Sequence, residues 1–161
     1  MAQHSKVNEQ FTLGVISDTH GLLRPQAVRA LEGSGIIVHA GDIGNPEVLR
    51  GLKTIAPLFA VRGNTDNGHW IKDIPATDTA EFCGFFFHIL HDLAGLDLDP
   101  QTAGIHLIIS GHSHIPAIIK KDGVLYLNPG SAGPRRFSLP VTLARITIQG
   151  KELYPEIISL E

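Results

Sequence analysis

The sequence predicts an α/β fold in which two mixed β-sheets pack face to face with helices outside. Three observations predict it. Residues 11–61 alternate strand-like apolar runs with helical patterns, reading β-α-β-α-β. Residues 78–148 are a series of short strand-like runs joined by turn signals. Four apolar runs end in Gly or Ser followed by a residue that can bind a metal: LGVISDTH (13–20), IIVHAGD (36–42), LFAVRGN (58–64) and LIISGHSH (107–114). The first pattern is that of a mainly parallel sheet with helices packed on it.

The elements follow in order. Residues 1–10 are polar and aperiodic and read as a flexible tail. Residues 11–17 form a strand whose continuous apolar character requires burial on both faces. Pro25 opens a helix with Ala27, Val28, Ala30 and Leu31 at helical spacing, and Gly33 and Gly35 stop it. A second strand covers 36–40, and Asn45-Pro46 starts a helix with Asn45 as N-cap and Val48, Leu49 and Leu52 on its apolar face. A third strand covers 58–61. The runs 78–82 and 85–90 flank Cys83-Gly84 as a tight hairpin. Residues 92–104 read as a loop, with any helix weakened by Gly95, Pro100 and Gly104. Strands are expected near 105–109, 116–120, 124–127 and 141–148, with a hairpin turn at Lys121-Asp122-Gly123 and a tight turn at Asn128-Pro129-Gly130-Ser131. No repeat, linker or low-complexity segment divides residues 1–161, which are expected to form a single domain.

Composition narrows the function classes. Hydrophobic residues make up 43% and charged residues 18%, ordinary for a globular protein. The net charge of −3 gives no support to a nucleic-acid or anionic-membrane surface. The one cysteine, Cys83, excludes an intrachain disulfide and a Cys-rich zinc site. There is no apolar leader and no run of the roughly 18–20 apolar residues that span a bilayer, so a cytoplasmic location is expected.

The strand ends carry the chemistry. In open α/β sheets, ligands bind at the carboxyl ends of strands. Those ends present Asp18, His20, Asp42, Asn64, His112 and His114, and a fifth run, FFFHILHD (85–92), adds His91. This is too many donors for one ion and suits two that share a carboxylate, an arrangement that can clamp both the attacking and leaving oxygens at phosphorus. Asp18 with His20, and His112 with His114, are two apart, which in extended chain aims both side chains the same way. Gly41 and Gly63 let the backbone turn sharply before Asp42 and Asn64. Asp42 is the natural bridge, since its two oxygens can serve two cations. Imidazole, carboxylate and amide donors without thiolate fit Mn²⁺ first, with Ni²⁺, Zn²⁺, Fe²⁺ and Co²⁺ as alternatives.

Taken together, DTHG, GD, GN, a strand-terminal His and GHSH, in this order, resemble the calcineurin-like metallophosphoesterase superfamily. The flanking text VISDTHG, HAGDI, VRGNTD, IISGHSHIP and LNPGSAGPR is similar to its small single-domain, YfcE-like phosphodiesterases. The resemblance runs from about residue 12 to 148. It implies a four-layer αββα sandwich, one ion held by Asp18, His20, Asp42 and His114, and a second held by Asp42, Asn64, His91 and His112. It further implies hydrolysis of a small phosphodiester by a water that the two cations acidify, with Asp42, Asn64 and His112 as catalytic residues. Two departures stand out. Thr65 occupies a position where relatives carry His or Cys, and it cannot serve as a general acid near neutral pH, which favours activated diesters. After His91 the family continues with Gly, whereas here Asp92 and Leu93 follow, and the stretch to Gly111 is short.

Ordinary roles compete at each position. His88 is the rival to His91 but lies inside its run, so packing is its simpler role. His39 sits in a buried run and reads as a satisfied core histidine, or as one that orients a ligand. Asp66 could orient a ligand or cap the turn. Arg135 matches the family's Pro-Arg element, with substrate phosphate contact and a structural salt bridge both open. His4, His69 and His106 read as surface residues, Cys83 as incidental, and Trp70 as core packing or a subunit contact. Rival functions are a phosphomonoesterase or phosphoprotein phosphatase, and a non-catalytic scaffold such as the retromer subunit of similar fold. A homo-oligomer is left open.

Overall fold

The computed structural model describes residues 9–161, so His4 and most of the expected tail lie outside the described residues. Ten strands and two α-helices are present: β1 Gln10–Ile16, α1 Pro25–Leu31, β2 Ile36–His39, α2 Pro46–Lys53, β3 Leu58–Ala60, β4 Thr77–Phe82, β5 Phe85–Leu90, β6 Leu107–Ile109, β7 Ala117–Lys121, β8 Val124–Asn128, β9 Thr142–Gln149 and β10 Glu152–Ser159. They form two five-stranded mixed sheets, β10-β9-β1-β2-β3 and β4-β5-β6-β8-β7. Strands β1, β2 and β3 are parallel, as are β5, β6 and β8, so each sheet has a coherent carboxyl edge.

The inner faces meet in one apolar layer in which Val15, Val38 and Ile146 of the first sheet join Phe87, Ile109 and Leu127 of the second. Burying each such side chain contributes roughly 1.5–3 kcal/mol before entropy is counted. Both α-helices pack on the outer face of the first sheet, where Ala27, Leu31, Val48 and Leu52 meet Ile16, Ile37 and Leu143. The α2 cap is as the sequence predicts: Asn45 Oδ1 accepts from the Val48 amide at 3.2 Å, with Pro46 in the first turn. Trp70 packs partly buried against this helical layer, consistent with the packing role expected for it.

The outer face of the second sheet differs. Only a 3₁₀ turn at Leu93–Gly95 and the loop that follows lie there, with Leu96, Leu98 and Ile105 packed on Leu90, Ile108 and Val124. The sandwich is the predicted one, but its fourth layer holds no α-helix, because Gly95, Pro100 and Gly104 break the segment. The hairpins predicted at Cys83-Gly84 and Asp122-Gly123 form with positive φ at both central residues, as tight primed turns require.

Strand β10 has no counterpart in the sequence reading. It pairs antiparallel with β9 at the edge of the first sheet, in register Pro155↔Ile146. Pro155 argues against a central strand but is tolerated at an edge, where no ladder partner needs its missing N–H. Gln10, assigned to the tail by sequence, begins β1.

Candidate metal centre

The strand ladders continue past their ends and bring the loops together. The Asp18 amide donates to Gly41 O at 3.0 Å, His20 to Asp42 O at 3.0 Å, Gly111 to His91 O at 2.9 Å and Ala132 to Ser17 O at 3.0 Å. All seven residues expected at the strand ends converge on this rim. His114 Nε2 lies 3.3 Å, and His20 and His91 Nε2 each 3.9 Å, from Asp18 Oδ1. His91 Nε2 and His20 Nε2 lie 3.3 and 3.8 Å from Asp42 Oδ2. His112 Nδ1 is 3.2 Å from Asn64 Oδ1 and 3.3 Å from His91 Nε2.

These positions are reached by a backbone device that sequence spacing does not reveal. Asp18 (φ 56°), His20 (46°), Asp42 (54°), His112 (72°) and His114 (62°) all adopt left-handed conformations. Non-glycine residues pay strain there, and such strain concentrates at functional sites. The pairs two apart therefore converge through left-handed turns, not through the extended chain that the spacing argument assumed. Gly41 does turn at φ 98°, but Gly63 is needed for space: a Cβ on it would lie 2.1 Å from Asp42 Oδ1.

Each carboxylate is held by one oxygen and presents the other. Asp18 Oδ2 accepts from the Ser17 hydroxyl at 2.7 Å and the His112 amide at 3.1 Å, while Oδ1 is buried without a partner. Asp42 Oδ1 accepts from the Thr65 amide at 3.0 Å, so only Oδ2 faces the imidazoles. Oδ2 thus faces one histidine from each of the two expected ligand sets, His20 and His91. Burial opposes charge on Asp42, but the hydrogen bonds from His91 and Thr65 outweigh it and hold the carboxyl well below its usual range. For His91, burial lowers the pKa, yet the Asp42 contact and the bond to Ala40 O raise it overall. His91 Nδ1 is 2.8 Å from that carbonyl oxygen and donates to it, so in the neutral ring Nε2, 3.3 Å from Asp42 Oδ2, carries the lone pair and faces the site. Burial lowers the His114 pKa, and Arg136 adds to the effect.

The residue types fit divalent cations. Asp18 Oδ1 and His20 Nε2 are buried polar atoms with no hydrogen-bond partner. Two candidate ligand groups form around them, Asp18-His20-His114 and Asp18-Asp42-His91. Leaving such atoms unsatisfied costs about 1–3 kcal/mol each, and a cation relieves both at once.

Supporting residues tie these loops together, and two of them, Asn128 and Ser131, lay beyond the sequence argument. Asp66 Oδ2 accepts from the Ile43 and Gly63 amides at 3.1 and 2.9 Å, and Oδ1 from Gly44 at 3.0 Å, tying the Asp42 loop to the Asn64 loop. Asn128 Nδ2 donates to Gly111 O at 2.9 Å and Ser113 Oγ at 3.0 Å, and Ser131 Oγ donates to Asp18 O at 3.1 Å. The turn at 128–131 is the signal that could have located the last two. His39 is fully buried. Its Nδ1 accepts from the Gly41 amide at 3.1 Å, so Nε2–H donates to Thr19 Oγ1 at 2.9 Å, and the Thr19 hydroxyl donates to Ile43 O at 2.8 Å. His39 is thus the satisfied core imidazole, and its bonds to Gly41 and Thr19 tie together the loops that carry Asp42 and His20 without touching a candidate ligand side chain. His88 lies within β5, 2.7 Å from Thr79 Oγ1 and away from the cluster. Arg135 forms an ion pair with Glu161, while the neighbouring Arg136 is the arginine whose charge reaches His114.

Comparison with known proteins agrees with this geometry. Residues 11–151 match the family described as the calcineurin-like phosphoesterase superfamily domain. A probable metallophosphoesterase of Methanothermobacter thermautotrophicus is 35% identical over 158 residues, covering 91% of each chain. A phosphodiesterase of Methanocaldococcus jannaschii is 27% identical over 165 residues, covering 91% of this chain and 98% of its own. Among solved structures, Vps29 of Entamoeba histolytica in complex with zinc superposes with a TM-score of 0.71 at 19% identity, covering 94% of this chain and 100% of that one. That last likeness is one of fold alone. Fold, rim and family match lead to one conclusion: the chain belongs to the calcineurin-like phosphoesterase superfamily.

Proposed function

We propose that the protein hydrolyses phosphodiesters with two divalent cations bound at the rim, Mn²⁺ being the one to load first. The observation that carries this reading is the pair of buried, unpartnered polar atoms, Asp18 Oδ1 and His20 Nε2, inside a ring of carboxylate and imidazole atoms. Asp18, His20, Asp42 and His114 would hold one cation, and Asp42, Asn64, His91 and His112 the other. When bound, the cations supply Lewis-acid charge to the phosphoryl oxygens and bring the pKa of a coordinated water towards neutrality.

The chain's own residues do the rest. Ser17 and the His112 amide fix the Asp18 carboxylate, and the Thr65 amide fixes Asp42, so the donor atoms are set before any ligand arrives. Asn64 and His112 are exposed, which puts them on the side from which a phosphoryl group can approach. The Thr65 side chain cannot protonate a departing alkoxide, so good leaving groups are favoured. Diesters are favoured over monoesters because no inserted cap covers the rim among the described residues, and because the Methanocaldococcus relative is a phosphodiesterase. The phosphate-contact role first considered for Arg135 passes more naturally to Arg136, since Arg135 is engaged by Glu161.

The scaffold reading keeps one specific support, the fold likeness to Vps29, whose structure includes zinc. Metal content alone therefore does not separate the two readings, and turnover must. The Mn²⁺-loaded protein is expected to cleave bis(p-nitrophenyl) phosphate faster than p-nitrophenyl phosphate. Asp42→Asn is expected to lose about 10²-fold or more in rate and occupancy at both sites, since one shared charge is removed. Metal-loaded protein that cleaves neither ester would leave the scaffold. A faster monoester would make it a phosphomonoesterase, and near-normal turnover of Asp42→Asn with both ions bound would remove Asp42 as the bridge.

A further inference from the structure

We propose that a hollow beside His112 receives one ester substituent of the substrate, and that it selects an uncharged apolar group such as an aryl ring. This rests on the phosphoesterase reading above and adds the substrate class. The hollow is about 310 Å³ and lies on the thinly covered outer face of the second sheet. That volume is at the lower end of the roughly 300–1,000 Å³ of small-molecule sites. Its floor is made by β7 and β8: Ile119 pairs with Tyr126 and Ala117 with Asn128, so these four share one face. Ile115 and Leu93 form the sides.

Three of these apolar side chains are left in water, Leu93 at 42%, Ile115 at 53% and Ile119 at 58% exposure. Single exposed apolar residues are ordinary, but several around one concavity mark a binding surface. The occupant is indicated by continuity with the rim and by charge. Gly111, His112 and Asn128 belong both to the wall of the hollow and to the ligand loop or its support. His112 turns Nδ1 to Asn64 and His91, and its Nε2 lies 3.8 Å from Asp92 Oδ2 at the mouth of the hollow. A phosphoryl group bound at the cations would direct one substituent across His112 into this space. Asp92 is the one acidic residue of the lining, and no lysine or arginine lines it among the described residues. An anionic substituent would meet a carboxylate without a counter-charge, whereas an aryl group would cover three apolar side chains.

Calorimetric titration of the Mn²⁺-loaded protein with methylphosphonate, phenylphosphonate and 4-carboxyphenylphosphonate tests this without turnover. Phenylphosphonate should bind about tenfold more tightly than methylphosphonate, and the added carboxylate should cancel the gain. Ile119→Glu and Ile115→Glu, both at exposed positions, should bring the phenyl-to-methyl ratio close to one. Asp92→Lys should make the carboxyphenyl compound the tighter of the two aryl ligands. Equal binding of methyl- and phenylphosphonate would overturn the subsite while leaving the metal centre standing. Binding of neither would overturn the phosphoesterase reading and the subsite with it. A phenyl preference that survives both isoleucine substitutions would place the ring elsewhere and overturn the subsite alone.

Discussion

The first sheet carries two α-helices on its outer face, and the second carries a 3₁₀ turn and a loop. Both sheets deliver ligands to the same rim, but they hold them differently. On the first-sheet side, Asp18 and Asp42 are buried, each pinned through one oxygen, and the loops behind them are tied by Asp66 and His39. On the second-sheet side, His112 is 44% exposed and opens onto the apolar hollow. The thick side fixes where charge can sit. The thin side opens onto a hollow that, on the proposal above, receives a substituent. Buried candidate ligands come from both sheets, His91 and His114 among them, so what sets the second sheet apart is the opening beside His112.

The largest effect expected is at the end of β5, where His91, a candidate ligand, follows the packing histidine His88 by three residues. His91→Ala should deplete one cation and slow hydrolysis by on the order of 10²-fold, because an open coordination position disturbs the activated water. His88→Ala should lower stability by about 1–3 kcal/mol through lost packing and the lost Thr79 contact, with metal content retained. Metal analysis and urea unfolding of the two variants make the check. Loss of metal from His88→Ala alone would reverse their roles.

Much of the rim was legible because its residues are local signals. Each of Asp18, Asp42, Asn64, His91 and His112 follows an apolar run, and a strand end is visible in sequence. What holds them was not legible, since it depends on partners distant in the chain. Asn128 reaches Gly111 and Ser131 reaches Asp18, over separations of 17 and 113 residues. Asp66 could be narrowed only to two roles, and its three amide partners come from loops that meet only in the fold. Strand β10 was obscured by Pro155, which sequence rules penalise unless the strand is known to lie at an edge. Left-handed φ values are uncommon for any residue with a Cβ, even for Asp and His, which adopt them more often than most, so propensity alone would not have proposed them at five of the candidate ligands.

An intermediate effect sharpens the thick side of the comparison. Burial is the main cause that lowers the His39 pKa from 6.5 to about 3, with His91 adding to it and Asp42 opposing. The folded state therefore binds fewer protons at His39 than the unfolded chain does. The contribution of neutral His39 to stability is complete above about pH 6.5 and is lost progressively as pH falls towards 3. By pH 5 the linkage for one such group amounts to about 2 kcal/mol. Chelator-treated protein unfolded in urea at pH 7 and pH 5 should show this loss, and His39→Gln should show it reduced by about that amount. An identical pH dependence in both proteins would mean that folding leaves the His39 pKa unshifted, and that its Nδ1 is not held as the buried acceptor of the Gly41 amide.

The smallest effect concerns departure of the leaving group. Thr65 is exposed, and its backbone amide, which any residue there keeps, holds Asp42 Oδ1 more strongly than its hydroxyl does, so a new side chain leaves the main restraint on the carboxylate in place. General acids contribute about 10²–10⁴-fold, mostly for basic leaving groups, and a side chain not evolved for the task should give less, about tenfold. The rate on a series of diesters should therefore fall steeply as leaving-group pKa rises, and Thr65→His should flatten that fall by raising the rate on the poorest leaving groups. Asp66 is a weak alternative donor, because its two oxygens already accept from Ile43, Gly44 and Gly63. His69, exposed on the 3₁₀ turn His69–Ile71, has no such commitment. A shallow slope in the unmodified protein that steepens in His69→Ala would assign the proton to His69 and show that the side chain at position 65 is not what limits the reaction.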